Sequence, residues 1–274
     1  MSTFEKDYYE AESFWEDGMI LDAANINRIE KTIALIPEDV KSLADIGCGN
    51  GVFLNRLHET GTAFEILGID RSKTALNYVK AKKMEGDIAA IPLPDNSMDC
   101  LTCLEVIEHL PVTVYDKALS ELTRVAGKYL IVSVPFAEKL EEAYTKCPQC
   151  KSMFNSDLHL RSFDEETFKK LFDHLGYRNT RVEKLGEIKS FVGKEKYVKL
   201  FYPEQSLVWN SPICPICGFQ NDKQPTVNIG SNATVVSKRK RSLVSYFSAL
   251  PKLIWPQKTR YYWILGLFEK TGNQ

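Results

Sequence analysis

The chain has 274 residues, 44% of them hydrophobic and 26% charged, which is enough for one substantial core with an added subdomain and is the balance of a soluble globular protein. No stretch approaches the ~20 apolar residues needed to span a bilayer, and the acidic, aromatic opening at 1–18 is not expected to act as a secretory signal. The formal net charge of −1 hides an asymmetry, because residues 223–268 contain no Asp or Glu but eight Lys or Arg, including the run 238–241. Seven cysteines, four of them in Cys-Pro-x-Cys pairs, suit metal binding better than disulfides and predict an intracellular, cytoplasmic setting.

Apolar residues at three- and four-residue intervals, among them Phe14, Ile20, Ile26, Ile29, Ile33 and Ile36, predict an N-terminal helical cap over 4–36 that Pro37 ends. Strands are then predicted at 42–47, 65–70, 98–104 and 128–135, with a weaker one at 82–85. Helices are predicted between them at 51–59, 72–81 and 112–125. That alternation implies an α/β fold, a mostly parallel sheet with helices on both faces. A further helix is expected at 164–175, with Asp164 as N-cap and Gly176 as stop, and a strand at 180–185. Residues 187–260 lose the pattern among Pro, Gly, Asn and Ser clusters. So long an irregular connection implies an insertion with its own job. The aromatic, partly β-branched stretch 261–270 reads as a last strand returning to the sheet. The division is therefore a cap (1–36), a core (37–186), an insertion (187–260) and that strand.

The segment 43–54, Leu-Ala-Asp-Ile-Gly-Cys-Gly-Asn-Gly-Val-Phe-Leu, places Asp45 at the end of a strand that turns on Gly47, Gly49 and Gly51 into a helix. Glycines let the backbone take positive φ and lie flush against a ligand. The spacing Gly-x-Gly-x-Gly differs from the dinucleotide fingerprint. A carboxylate two residues before the first glycine would repel a pyrophosphate but suits a cationic ligand. Asp70 ends the second strand, where an acid can accept from ribose hydroxyls, and Asp87 follows the third. The fourth strand runs into Glu-Val-Ile-Glu-His-Leu at 105–110.

With four motifs in register over about residues 40–185, the chain resembles the class I S-adenosylmethionine-dependent methyltransferases, in the branch with a Glu-Val-Ile-Glu-His-Leu turn found in ubiquinone-pathway enzymes. The resemblance implies a Rossmann-like sheet of seven strands. It also implies that the glycine turn with Asp45, Gly47, Cys48, Gly49 and Gly51 holds the methionine portion of the cofactor. Asp70 with Arg71 would then hold the ribose, Asp87 with Ile88 the adenine, and Leu104 would line the same pocket. Cys48 is expected to matter through its backbone more than its sulfur.

Cys147-Pro-Gln-Cys150 and Cys214-Pro-Ile-Cys217 form two knuckles, each able to put two thiolates on one tetrahedral Zn²⁺. The interval 151–213 exceeds the usual spacing, so the fold must assemble this structural site; His159 is a possible substitute ligand. Cys100 and Cys103 share the spacing but lie in a predicted strand, where i and i+3 point to opposite faces, and read as buried small groups. His58 and His174 fall near helix ends and read as surface residues.

Glu105, Glu108 and His109 fall at i, i+3 and i+4 and would share one face of a helical turn beyond the fourth strand. His109 has the pKa range of a general base for an acceptor hydroxyl. The turn with a later His, His159, also resembles the metal-dependent O-methyltransferase pattern, which would add a second divalent cation. A third reading leaves Glu105 on the cofactor side and His109 as a cap, without metal. The expected function is methyl transfer to a hydroxyl-bearing small molecule, lipid-linked sugar or glycan. A nucleic-acid substrate is less favoured because the catalytic region is acidic. A nucleotide-dependent oxidoreductase and a non-catalytic scaffold are the competing functional classes. Basic residues 238–241 beside apolar residues up to Trp255 suggest that 238–260 touches an anionic membrane surface peripherally, the bland reading being a solvated loop packed on the domain.

Overall fold

In a computed structural model of the chain, which describes residues 9, 10, 12, 15, 22–191, 214–219 and 257–272, helix α1 (Ala23–Ala34) starts where the Asp22 side chain accepts from Asn25 N at 2.8 Å. Asp22 is itself extended, so the helix expected over 4–36 has a boundary there. A side chain that caps the backbone competes with continuation of the helix. Strand β1 (Ser42–Ile46), helix α2 (Val52–Glu59), β2 (Glu65–Asp70), helix α3 (Lys73–Leu76), β3 (Lys82–Glu85), β4 (Met98–Leu104), helix α4 (Val112–Val125) and β5 (Ala126–Pro135) follow the predicted alternation. After a short hairpin, β6 (Tyr144–Lys146) and β7 (Met153–Asn155), come α5 (Glu165–Lys169), β8 (Tyr177–Phe191) and β9 (Gln257–Lys270). The main sheet has the order β3-β2-β1-β4-β5-β9-β8, with β1 to β5 parallel and β9 antiparallel to both neighbours. This is the Rossmann-like, mostly parallel sheet expected.

Both faces of the sheet are covered. One core gathers Ile46, Ile69, Leu101, Leu122 and Phe168; the other gathers Leu43, Leu54, Ile131 and Leu265. Cys103 belongs to the first and Cys100 to the second, both essentially buried, as the alternation of a strand requires. His58 and His174 are exposed.

Three further expectations change. The helix foreseen at 72–81 stops at Leu76 because Asn55 grips the chain beyond it, donating to Tyr78 O at 3.0 Å and accepting from Lys80 N at 2.8 Å. The helix at 164–175 is only α5, with a capping box between Asp164 and Thr167, followed by a separate 3-10 turn at Asp173–Leu175 that Gly176 closes. The last two strands reach beyond their predicted ends, taking 187–191 and 257–260 from the insertion into the sheet. Among the described residues no helix is long and apolar enough to cross a membrane. The basic run and the apolar residues up to Trp255 lie outside the described residues.

Candidate active site

The strand order reverses between β1 and β4, which pair through Leu43–Cys100, Ala44–Leu101 and Asp45–Thr102. Ligands of such sheets bind in the crevice beyond the carboxyl ends of these strands. Asp45 stands there at 2% exposure, accepting from Thr102 Oγ1 at 2.6 Å. Burial pushes its pKa up to about 7, with Thr102 and Arg28 opposing and the Asp70 charge adding to the rise. Gly47 and Gly49 have φ of 74° and 53°. A Cβ on Gly47 would lie 2.6 Å from Val106 Cγ2, and one on Gly49 would lie 2.8 Å from Trp15 Cζ3. The turn is therefore glycine both for conformation and for space.

Asp70 ties this turn to the next strand. Its carboxylate accepts from Gly49 N and from Ser72 N, each at 2.8 Å. Burial raises its pKa against those two amides. Arg71 lies over the Tyr9 ring, 4.8 Å from its centroid. Asp87 is exposed and accepts from Ala89 N at 2.8 Å. Ile88 and Leu104 are half-buried against the two cores. The Cys48 N–H donates to Ile69 O at 3.1 Å. Its thiol also matters, since it is buried in the core, where a Cβ on Gly68 would come within 2.9 Å of it.

Beyond β4, the expected single face of Glu105, Glu108 and His109 is divided. Glu105 has φ 58°, a left-handed conformation uncommon for a side-chain-bearing residue. Its carboxylate accepts from Ser133 Oγ at 2.7 Å and lies 3.9 Å from Arg28. Only after it does the 3-10 turn Ile107–His109 begin. Glu108, His109 and His159 do converge, each offering a ligand atom within 4.8 Å of the others. The Glu108 side chain is fully buried, and neither of its oxygens has a hydrogen-bond partner; His109 Nδ1 is likewise buried and unpartnered. Burial and the nearby Glu105 push the Glu108 pKa well up. Burial and the neighbouring His159 push His109 down to about 3, so its imidazole is neutral and its pKa, contrary to expectation, lies below the range of an effective general base.

His159 is held from behind by Glu138, whose Oε2 lies 2.5 Å from its Nδ1. Burial works against the charged ring, but the Glu138 carboxylate outweighs it and raises the His159 pKa. Glu138 and Asp157, which group with His159, carry no periodicity or motif in the sequence. Position just after β5 is the one signal for Glu138. The described N-terminal residues also reach the site. Trp15 covers Gly49 and accepts at its carbonyl from Asn50 Nδ2 at 3.0 Å, while the Tyr9 ring meets His109 edge-on at 6.4 Å. Glu10 accepts from Thr74 Oγ1 at 2.9 Å and Thr74 N at 3.2 Å, fastening this segment to the start of α3. Away from this crevice, Cys147, Cys150, Cys214 and Cys217 cluster within 4.8 Å, without His159.

Residues 44–131 match a family model described as a methyltransferase domain. A protein of Methanocaldococcus jannaschii is 27% identical over 136 residues, covering 48% of this chain and 57% of its own length. The small RNA 2′-O-methyltransferase of Arabidopsis thaliana is 30% identical over 164 residues, covering 52% of this chain and 17% of its own. The chain thus spans at most little more than half the length of these relatives. Among solved structures, a chain from the complex of the Haloferax volcanii Trm112 methyltransferase activator with a methyltransferase aligns over 98% of both chains at 12% identity and a TM-score of 0.58, a likeness of fold. Residues 44–131 are thus similar to a methyltransferase domain, set here in a mostly parallel, Rossmann-like sheet with its glycine turn beside Asp45.

Proposed function

We propose that the protein is an S-adenosylmethionine-dependent O-methyltransferase acting on a hydroxyl-bearing small molecule, lipid-linked sugar or glycan, with a divalent cation at Glu108, His109 and His159. The observation that carries the reading is the pair of unpartnered oxygens on fully buried Glu108, beside two imidazoles, next to the glycine turn. A buried carboxylate without partners is costly unless it is protonated or neutralised by a cation.

The pocket residues fit the cofactor. Asp45 offers a buried carboxylate to a cationic group, and the glycine turn, with positive φ at Gly47 and Gly49, brings bare backbone beside it. Asp70, already accepting two amides, has lone pairs left for ribose hydroxyls. Asp87 and Ile88 are the residues for the adenine, with Arg71 and Leu104 alongside. When bound, the cofactor supplies a methyl group on a cationic sulfur, and the protein's share is alignment and proton removal. A cation held by Glu108, His109 and His159 would lower the acceptor's pKa. Glu138 orients His159 for that task, and Ser133 with Arg28 keeps Glu105 in place. Without a cation, His109 would have to take the acceptor proton as a weak base, its pKa being held near 3.

A second reading, an RNA ribose hydroxyl as acceptor, is favoured by the likeness to the small RNA 2′-O-methyltransferase. Contact of residues 238–260 with an anionic membrane would bring a lipid-linked acceptor close, and salt-sensitive sedimentation with anionic vesicles tests it.

The decisive experiment follows labelled methyl from S-adenosylmethionine into glycan, lipid and RNA fractions. It is run with and without EDTA and with Mg²⁺, Mn²⁺ or Zn²⁺ added back, zinc on the cysteines being measured in the same samples. Loss and rescue of transfer, with no transfer by His159→Ala, is expected. Full activity after chelation removes the cation and leaves His109 as base. Absence of binding to S-adenosylhomocysteine refutes the function itself.

A further inference from the structure

Residues 147–152 and 214–219 fold into the same turn twice. In each, the first cysteine's N donates to the carbonyl five residues on: Cys147 to Ser152 O and Cys214 to Phe219 O, both at 2.9 Å. Its carbonyl accepts from the residue after the second cysteine, Lys151 N at 3.1 Å and Gly218 N at 2.9 Å. Lys151 and Gly218 both have positive φ, 63° and 71°. In the first turn Cys150 N also points at Cys147 Sγ, 3.4 Å away, as an amide does towards a thiolate. A lysine held in a left-handed conformation is a local cost that something at this turn must offset.

The two turns face each other sulfur to sulfur. Cys147 Sγ lies 3.8 Å from Cys217 Sγ, and Cys150 Sγ lies 3.8 Å from Cys214 Sγ; all four sulfurs fall within 4.8 Å. Disulfides would require separations near ~2.05 Å, and all four cysteines are free thiols. Four sulfurs at ~2.3 Å from a central tetrahedral ion stand about 3.8 Å apart. Cys147 and Cys214 are fully buried while Cys150 and Cys217 reach towards the surface, and four thiolates fill a tetrahedral shell without leaving a position open to substrate.

From this geometry we infer that Cys147, Cys150, Cys214 and Cys217 hold one structural Zn²⁺ that fastens 214–219 to the β6–β7 hairpin and so braces the loop carrying His159. On binding, the four thiols release their protons to solvent and no oxidation state changes. The hairpin hands the constraint on through Asn155, which is 5% exposed. Its Oδ1 accepts from Asp157 N at 2.9 Å and His159 N at 3.3 Å, and its Nδ2 donates to Leu140 O at 3.1 Å. The metal also ties down the connection between β8 and β9 at 214–217. Only the bracing of His159 rests on the proposed acceptor site; the metal site stands without it.

The test uses the full chain purified without chelators. Mass spectrometry of metals should find close to one zinc per chain, and cobalt(II) exchanged for it should give the intense visible absorption of a tetrahedral thiolate site. Cys217→Ser should lose stoichiometric metal and lower Tm by roughly 5 °C or more, while S-adenosylhomocysteine affinity changes less than twofold. Hydrogen exchange in this variant should quicken at 140–161 and remain unchanged in β1 to β4. Should the variant fail to fold, a mercurial added to the wild-type chain should release one zinc, read with a chromogenic indicator, with the same change in exchange. Protein without zinc, or with iron in its place, overturns the site. Zinc present but exchange at 153–161 unchanged on its loss overturns the bracing. None of these readouts depends on methyl transfer.

Discussion

Replacing Asp45 by Asn separates the cost of this carboxylate from its use. Its pKa moves from 3.8 to about 7, roughly three pH units, or about 4 kcal/mol at ~1.4 kcal/mol per unit as a ceiling. The sign follows from proton counting. Between about pH 4 and 7 the native state holds a proton that the unfolded chain has released, so stability falls as pH rises through this window. The amide of Asp45→Asn cannot ionise and escapes that penalty, while its oxygen still accepts from Thr102. Urea unfolding of the ligand-free protein near pH 4.5, 6 and 8 should therefore show the variant gaining on the wild type as pH rises, by at least about 1 kcal/mol at pH 8. Acid-sensitive groups elsewhere cancel in the difference. Calorimetry at pH 8 should show S-adenosylhomocysteine binding weakened about tenfold or more, ~1.4 kcal/mol, because the cationic group loses its carboxylate. A pH-independent difference, or a variant less stable at pH 8, would refute the reasoning about burial. Unaltered affinity would remove Asp45 from the cofactor site.

Glu138→Gln should shift the His159 titration to lower pH, since the Glu138 carboxylate is what raises it; histidine NMR of the metal-free protein reads the shift directly, and an unmoved resonance contradicts the orienting role. Gly47→Ala should destabilise the fold by about 1–3 kcal/mol, from its φ of 74° and the 2.6 Å approach to Val106. Adding Val106→Ala should recover the steric share alone, so complete recovery in denaturant unfolding would show that the left-handed backbone costs nothing.

What the sequence discloses depends on how far each feature reaches along the chain. Strands β1, β2 and β4 are readable because burial on both faces demands near-continuous apolar runs. The end of α3 is not, because Asn55, twenty-three residues before Tyr78, decides it. Strands β6 and β7, three residues each, are too short to show a period. At the site, Glu108 and His109 can be paired from spacing alone, and Asp45 is marked by its place before the glycines. His159 is reached only through likeness to a family pattern. Glu138 is hidden, since its value lies in the turn after β5 folding back onto the loop from β7. Even where spacing succeeds it misleads about Glu105, whose left-handed backbone turns its carboxylate to Ser133 and Arg28.

One physical cause divides the legible residues from the hidden ones. The glycine turn, Asp45 and Asp70 belong to contiguous strand-to-helix junctions, which a local pattern can encode. The proposed acceptor side is assembled from separate places: α1 brings Arg28, the N-terminal residues bring Tyr9, and the loop after the β6–β7 hairpin brings His159. A local pattern therefore reaches the glycine turn, Asp45 and Asp70, while the placing of Arg28, Tyr9 and His159 is set by tertiary packing. On the proposed reading, a different acceptor would be accommodated by changes in those separate segments, with the sheet and the glycine turn left as they are.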